Sequence, residues 1–226
     1  MDHVQAIVLD FDGVIANTEP LHFAACRELL APFGVTLTEE EYVDRYIGVA
    51  DRTALTNAGR AHGLEIDGAL LDDLLTHKAE MLRDVLSRTR PMYPGVAELL
   101  RRWAADVPLA IASGARRGEI ELVLGVAGVA GAIRAIVSAD DGLRSKPAPD
   151  PYLKALALLE PHLGKLDPAR TVAIEDSRHG IQSARAAGMR TVAVTTSFPR
   201  SALGDADLVV DALPDLTVEM LDALCA

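Results

Sequence analysis

Short apolar runs, many with β-branched residues, alternate along most of this chain with segments of helical spacing. That alternation restricts the fold more than any other feature. Val4–Leu9 is one such run, and it stops at Asp10-Phe11-Asp12-Gly13. Leu109–Ala112, Ala135–Ser138, Val172–Ile174 and Thr191–Val194 are alike, and Leu208–Val210 adds a sixth. Runs that are apolar at every position suit strands buried on both faces, as in a parallel sheet. Between them, Pro94–Trp103 carries Val96, Leu99 and Leu100 at helical spacing, and Pro151–Leu159 carries Leu153, Leu156, Leu158 and Leu159. Arg178–Ala187 has the same character and ends at Gly188, a suitable C-cap. Strand and helix in alternation predict a doubly wound α/β fold with a parallel sheet. Such a fold presents its chemistry at the C-terminal ends of the strands.

One region breaks the pattern. From about Glu19 to Arg88 no strand is evident, only amphipathic helical stretches marked by Leu21, Ala25, Leu29 and Leu30, and by Leu70, Leu71, Leu74, Leu75 and Leu82. Tyr93-Pro94-Gly95 marks the return to the α/β pattern. The expected division is a core of residues 1–16 and 89–226 and an inserted helical cap of residues 17–88, placed to act as a lid. A length of 226 residues suits one main domain with a modest insertion. A net charge of −11 disfavours a nucleic-acid backbone or an anionic membrane as partner. The longest apolar and glycine stretch, Leu122–Ile133, is too short to span a bilayer. Cys26 and Cys225 form neither a metal spacing nor a disulfide framework, and the start Met1-Asp2-His3 lacks a signal peptide's basic region. These features predict a soluble cytoplasmic protein, a monomer or weak homodimer.

The polar residues at the strand ends carry the chemistry. Strand one ends in Asp10 and Asp12, strand two in Ser113-Gly114, and strand four in Glu175-Asp176; the loop after strand three holds Lys146. Taken singly, each has a plain explanation. Asp-Xaa-Asp-Gly is a turn signal, Ser-Gly a loop or cap, and Glu175-Asp176 can cap the helix after Ser177. Together, at the ends of different strands, they form an acidic pocket. Clustered carboxylates repel unless a cation joins them, and a set of oxygen ligands suits Mg²⁺. A lysine and a serine beside that cation make a place for a tetrahedral dianion.

In these residues the chain resembles the haloacid dehalogenase-like hydrolase superfamily over essentially its whole length. Asp10-Phe11-Asp12-Gly13-Val14-Ile15 is similar to the first motif, Ser113 to the second, Lys146 in Lys-Pro-Ala-Pro-Asp-Pro to the third, and Glu175-Asp176-Ser177 to the fourth. The helical insertion resembles the small cap of the branch that holds β-phosphoglucomutase and phosphoglycolate phosphatase. The resemblance implies a Rossmann-like core and an aspartyl-phosphate mechanism. Asp10 would be the nucleophile and Asp12 the acid and base. Asp10, the Asp12 backbone carbonyl, Asp176 and Glu175 would hold Mg²⁺, the last directly or through water. Ser113, Gly114 and Lys146 would bind the phosphoryl group.

The substrate implied is a small phosphorylated metabolite. His22, Arg52 and Lys78 are the cap candidates for contacting it. His22 reads equally as a histidine on a wet helix face, and Arg52, in Gly48-Val49-Ala50-Asp51-Arg52, as a solvated arginine at a helix start. After Ser113 the sequence Gly114-Ala115-Arg116-Arg117 departs from the mutases' pattern, which favours a sugar or polyol phosphatase over a β-phosphoglucomutase-type mutase. Arg116 and Arg117 either widen phosphate recognition or sit in a helix's first turn. Asp12 and the acidic pair argue against a metal-free haloacid dehalogenase. The insertion and Asp12 argue against a receiver-type signalling module.

Overall fold

The computed structural model of the chain describes residues 3–47 and 49–226, the side chain of His162 excepted. Contacts divide the chain into two compact units, Met1–Asn17 with Arg90–Ala226, and Thr18–Thr89.

The first unit is α/β. Its strands are β1 (Ala6–Leu9), β2 (Leu109–Ala112), β3 (Ile133–Val137), β4 (Thr171–Glu175), β5 (Arg190–Val194) and β6 (Leu208–Val210). They form one sheet in the order β3-β2-β1-β4-β5-β6, and every pairing is parallel. The order reverses beside β1, because β2 and β3 continue to one side of it and the chain then crosses over to place β4, β5 and β6 on the other. A ligand crevice in such a sheet lies at that reversal, beyond the carboxyl ends. β1, β2 and β4 are buried at every position, as their uninterrupted apolar sequences require. β3 departs from the expectation of full burial. It is one of the two edge strands, Arg134 is exposed, and only Val137 is fully buried.

The flanking helices of this unit are α5 (Val96–Asp106), α6 (Arg117–Val126), α7 (Asp150–Leu163), α8 (Arg178–Ala186) and α9 (Val218–Cys225), while α1 to α4 belong to the other unit. On one face Ala6, Val8, Ala110, Ala112 and Ala173 meet Tyr152, Ala155, Leu156 and Leu159 of α7 and Ala184 of α8. The small residues on the sheet let the helices approach closely. α8 starts on a Ser177 cap whose Oγ accepts from the Gly180 amide at 3.1 Å. Gly188 follows its end with φ +83°, in the left-handed region that glycine adopts without strain.

The second unit is helical throughout, with α1 (Glu19–Leu30), α2 (Glu39–Arg45), α3 (Asp51–Ala61) and α4 (Gly68–Arg88). Its own core gathers Cys26, Leu30, Val35, Leu37, Tyr42, Leu55 and Ile66 with Leu71, Leu74 and Leu75 of α4. α4 is capped by Asp67, whose side chain accepts from the Leu70 amide at 2.9 Å. No helix among the described residues is long and apolar enough to cross a membrane.

Candidate active site

Register brings the first acids together. Leu9 stands opposite Ile111 on β2 and Ile174 on β4, so the next residue, Asp10, leaves the sheet level with the start of the β2 loop and with Glu175. The Asp10 amide donates to the Ile174 carbonyl at 2.9 Å, which holds the strand end in line. Beyond it the chain turns back sharply. The Phe11 carbonyl accepts from the Ile15 amide at 2.8 Å, and the Gly13 amide donates to the Ala16 carbonyl at 2.9 Å. Gly13 has φ +76°, and a Cβ there would collide with Asp176 Oδ2. This turn therefore needs glycine on two grounds, conformation and space.

Asp10, Glu175 and Asp176 each offer a carboxylate oxygen, and these atoms all lie within 4.8 Å of one another. Asp12 lies two residues past Asp10 with its carboxylate outside this set. Lys146 answers the acids. Its Nζ lies 2.5 Å from Glu175 Oε1 and 3.0 Å from Asp10 Oδ1. Burial pushes the Asp10 carboxyl up to about 6; the Lys146 ammonium opposes the rise and the Glu175 charge adds to it. Asp176 is pushed well above the usual carboxylate range by burial first, then by the charges of Glu175 and Asp10. Burial works against the Lys146 charge, but Asp10 and Glu175 outweigh it and hold the ammonium above its ordinary value. Three carboxylates against one lysine leave an excess of negative charge in a site made only of oxygen donors. That donor set fits a hard divalent cation.

Glu175 is wholly buried, and both of its oxygens are engaged. Oε1 accepts from Lys146 and, at 2.7 Å, from the Tyr152 hydroxyl. Oε2 accepts from the Ser177 hydroxyl at 3.0 Å and the Asp176 amide at 3.2 Å. A Cβ on Gly180, in the first turn of α8, would overlap the Glu175 carboxylate, so glycine clears the space for it. Ser113 is buried at the end of β2. Its amide donates to the Val137 carbonyl at 3.0 Å and its Oγ accepts from the Ala115 amide at 3.0 Å. The neighbouring Gly114 is exposed, with open space where a side chain would stand.

The β5 loop supplies residues that strand-end logic passed over. Ser197 Oγ and Asp176 Oδ2 both lie against the space beside Gly13, and Thr196 Oγ1 donates to the Gly13 carbonyl. Burial, and then the charges of Asp176 and Asp12, raise the Tyr93 phenol above its ordinary value. The sequence signal was a hydroxyl-rich Thr195-Thr196-Ser197 directly after a strand. Tyr152 gave none, because its helix reads as plain core.

The remaining candidates are the arginines at α6 and three residues of the helical unit. Arg117 does sit in the first turn of α6, but its guanidinium donates to the Ile136 carbonyl at 2.8 Å and to Asp141 at 3.3 Å. It ties α6 to the end of β3. Arg116 is the exposed residue before α6. In the helical unit, Lys78 is 1% exposed and pairs with Asp51, and its Nζ is 3.2 Å from His22 Nδ1. Burial lowers His22 to about 4, the Lys78 charge adding to the fall and Asp51 opposing it. Arg52 is an exposed arginine that donates to Asp72 at 2.7 Å. Gly48, which opens the Gly48-Val49-Ala50-Asp51-Arg52 stretch, lies outside the described residues.

The chain is similar to known proteins. The haloacid dehalogenase-like hydrolase family model matches residues 7–194. Protein CbbY of Rhodobacter capsulatus is 35% identical over 233 residues, covering 98% of this chain and 97% of its own. Fructose-1-phosphate phosphatase YqaB of Escherichia coli is 31% identical over 190 residues, covering 83% of this chain and 95% of its own. The crystal structure of β-phosphoglucomutase from Clostridium difficile superposes with a TM-score of 0.85 at 21% identity, over 98% of this chain and 97% of that one, and shows the same fold. With its motif residues at the carboxyl ends of the sheet and that family model matched across residues 7–194, the chain belongs to the haloacid dehalogenase-like hydrolase family and is an enzyme.

Proposed function

We propose that the protein is a Mg²⁺-dependent phosphatase of small sugar or polyol phosphates, acting in the cytoplasm as a monomer or weak homodimer. The observation that carries this is the excess of buried carboxylate around Asp10, with Lys146 3.0 Å from the oxygen that would attack.

Asp10 attacks the phosphorus, the bond to the leaving oxygen breaks, and Asp12 gives that oxygen its proton. Asp12, now a carboxylate, takes a proton from water, whose oxygen attacks the phosphorus of the aspartyl-phosphate. The bond to Asp10 breaks, inorganic phosphate leaves and both acids return to their starting states. Lys146, Ser113 and Gly114 orient the phosphoryl oxygens throughout. Phosphoryl transfer asks mainly for such positioning and charge neutralisation. Asp10, the Asp12 carbonyl, Asp176 and Glu175 would hold Mg²⁺, which supplies positive charge for the dianionic phosphoryl group. Discrimination between esters is assigned to His22, Arg52 and Lys78. The Lys78 charge is already met by Asp51 and that of Arg52 by Asp72. This favours a hydroxyl-bearing substrate over one with a second phosphate, and hydrolysis over mutase chemistry. The name of the relative YqaB supports a hexose phosphate.

The test is a panel of phosphate monoesters ranked by kcat/KM with Mg²⁺ and with chelator. Free phosphate should match substrate loss and vanish with chelator. β-Glucose 1-phosphate, with a trace of the 1,6-bisphosphate, separates the alternatives. Stoichiometric glucose 6-phosphate with negligible free phosphate would overturn the phosphatase reading.

A further inference from the structure

We infer that Tyr152 is a positioning residue of this site, one that fixes Lys146 through Glu175. This rests on the phosphatase reading of the same site. Tyr152 is on α7, wholly buried, and most of its surroundings are alanine and leucine. A phenol in such a place must satisfy its hydroxyl, and here the hydroxyl donates to Glu175 Oε1 at 2.7 Å. That same oxygen accepts from Lys146 at 2.5 Å. The ring makes a second contact: the Lys146 ammonium stands 5.2 Å from its centroid. One side chain therefore touches both members of the ion pair.

The consequence lies in how Lys146 is divided. Its ammonium has three protons. One goes to Glu175 and one lies toward Asp10 at 3.0 Å, leaving the third for a phosphoryl oxygen. Glu175 competes with Asp10 and with substrate for the same cation. A donor on Oε1 takes up part of that oxygen's accepting capacity and holds the carboxylate in one orientation. Without it, Glu175 turns more fully to Lys146 and draws it from the position that a phosphoryl group needs. Tyr152 touches none of the reacting atoms, so it acts by placement alone.

Tyr152→Phe keeps the ring and removes only the hydroxyl; Tyr152→Leu removes both contacts. Thr191→Val is the control, since it deletes a comparably buried hydroxyl that donates to Asp207 at 2.8 Å, away from the site. The readouts are the affinity for inorganic phosphate in saturating Mg²⁺, by calorimetry, and kcat/KM for the best ester. Tyr152→Phe should weaken phosphate and lower kcat/KM by about tenfold each, within the range for a hydrogen bond to a charged group. Tyr152→Leu should lose more, and Thr191→Val should change neither. Phosphate affinity and turnover in Tyr152→Phe equal to those of the unsubstituted protein would overturn the assignment, as would an equal loss in Thr191→Val. Phosphate bound by the unsubstituted protein without turnover of any ester would sink the phosphatase reading alone and leave the affinity arm to decide this one. Failure of the unsubstituted protein to bind phosphate would sink both.

Discussion

Among the described residues each unit of this protein contains a buried cluster of charged side chains, and the two clusters are balanced in opposite ways. In the α/β unit, Asp10, Glu175 and Asp176 face Lys146, and burial drives two of those carboxyls upward, Asp10 to about 6. In the helical unit, Lys78, Asp51 and His22 form a set whose charges cancel, with burial keeping His22 neutral by lowering it to about 4. Removing charged groups from water is costly, so a buried set is stable alone only when its charges match. The helical cluster meets that condition. The α/β cluster does not, and its surplus of negative charge is the mark of a place made for a cation and a reacting group.

The largest expected effect breaks the comparison if it fails. Asp10→Asn keeps shape and removes the proposed nucleophile, and should lower kcat by roughly 10³-fold or more. His22→Gln, in the balanced cluster, should cost far less. Comparable losses from the two, measured on one ester, would mean that charge imbalance does not locate the chemistry.

Asp12→Asn should lower turnover of alkyl esters by about 10²–10⁴-fold, the usual reach of general acid–base catalysis. Aryl phosphates, whose leaving groups need little protonation, should suffer less. Equal losses on both classes would remove Asp12 from the acid role.

The pH dependence of stability sharpens the contrast, because the two units should respond with opposite sign. A carboxyl raised from 3.8 to about 6 favours the fold fully below its unfolded value, and that contribution is lost as pH rises through about 6. A histidine lowered from 6.5 to about 4 contributes above 6.5, and loses that as pH falls through about 4. Each is worth on the order of 3 kcal/mol. In chelator, the stability of the unsubstituted protein relative to Asp10→Asn should fall between pH 4 and 6. Relative to His22→Gln it should rise from pH 4 to 6.5. Denaturant midpoints across that range read both, and slopes of one sign would contradict the contrast.

The smallest effect tests the balance itself. Asp51→Asn leaves the buried Lys78 ammonium without its counter-charge and should cost about 2 kcal/mol of stability, less than a fully buried pair because Asp51 is 26% exposed. Lys78→Met combined with Asp51→Leu should recover most of it. A double variant as unstable as the single one would show that packing, not charge, holds this cluster.

Strand ends were legible in the sequence because short apolar runs with β-branched residues, closed by polar turn residues, suit strands of a parallel sheet. Asp10, Ser113, Glu175 and Asp176 are therefore placed at the sheet's edge by local pattern alone, and the strandless stretch between Glu19 and Arg88 declared a helical insertion for the same reason. Which of those polar groups touch was decided only by the parallel register that sets Asp10 beside Glu175, and by the loop that returns Lys146 to both. Tyr152 reaches the site from a helix whose sequence reads as plain core, and Arg117 and Arg52 spend their charges on nearby acids that spacing could not pair with them. Periodicity is a property of neighbours along the chain, so it identifies elements and their ends. Partners drawn from 23 and 29 residues away, as Tyr152 and Lys146 are from Glu175, are fixed by the packing of helix on sheet.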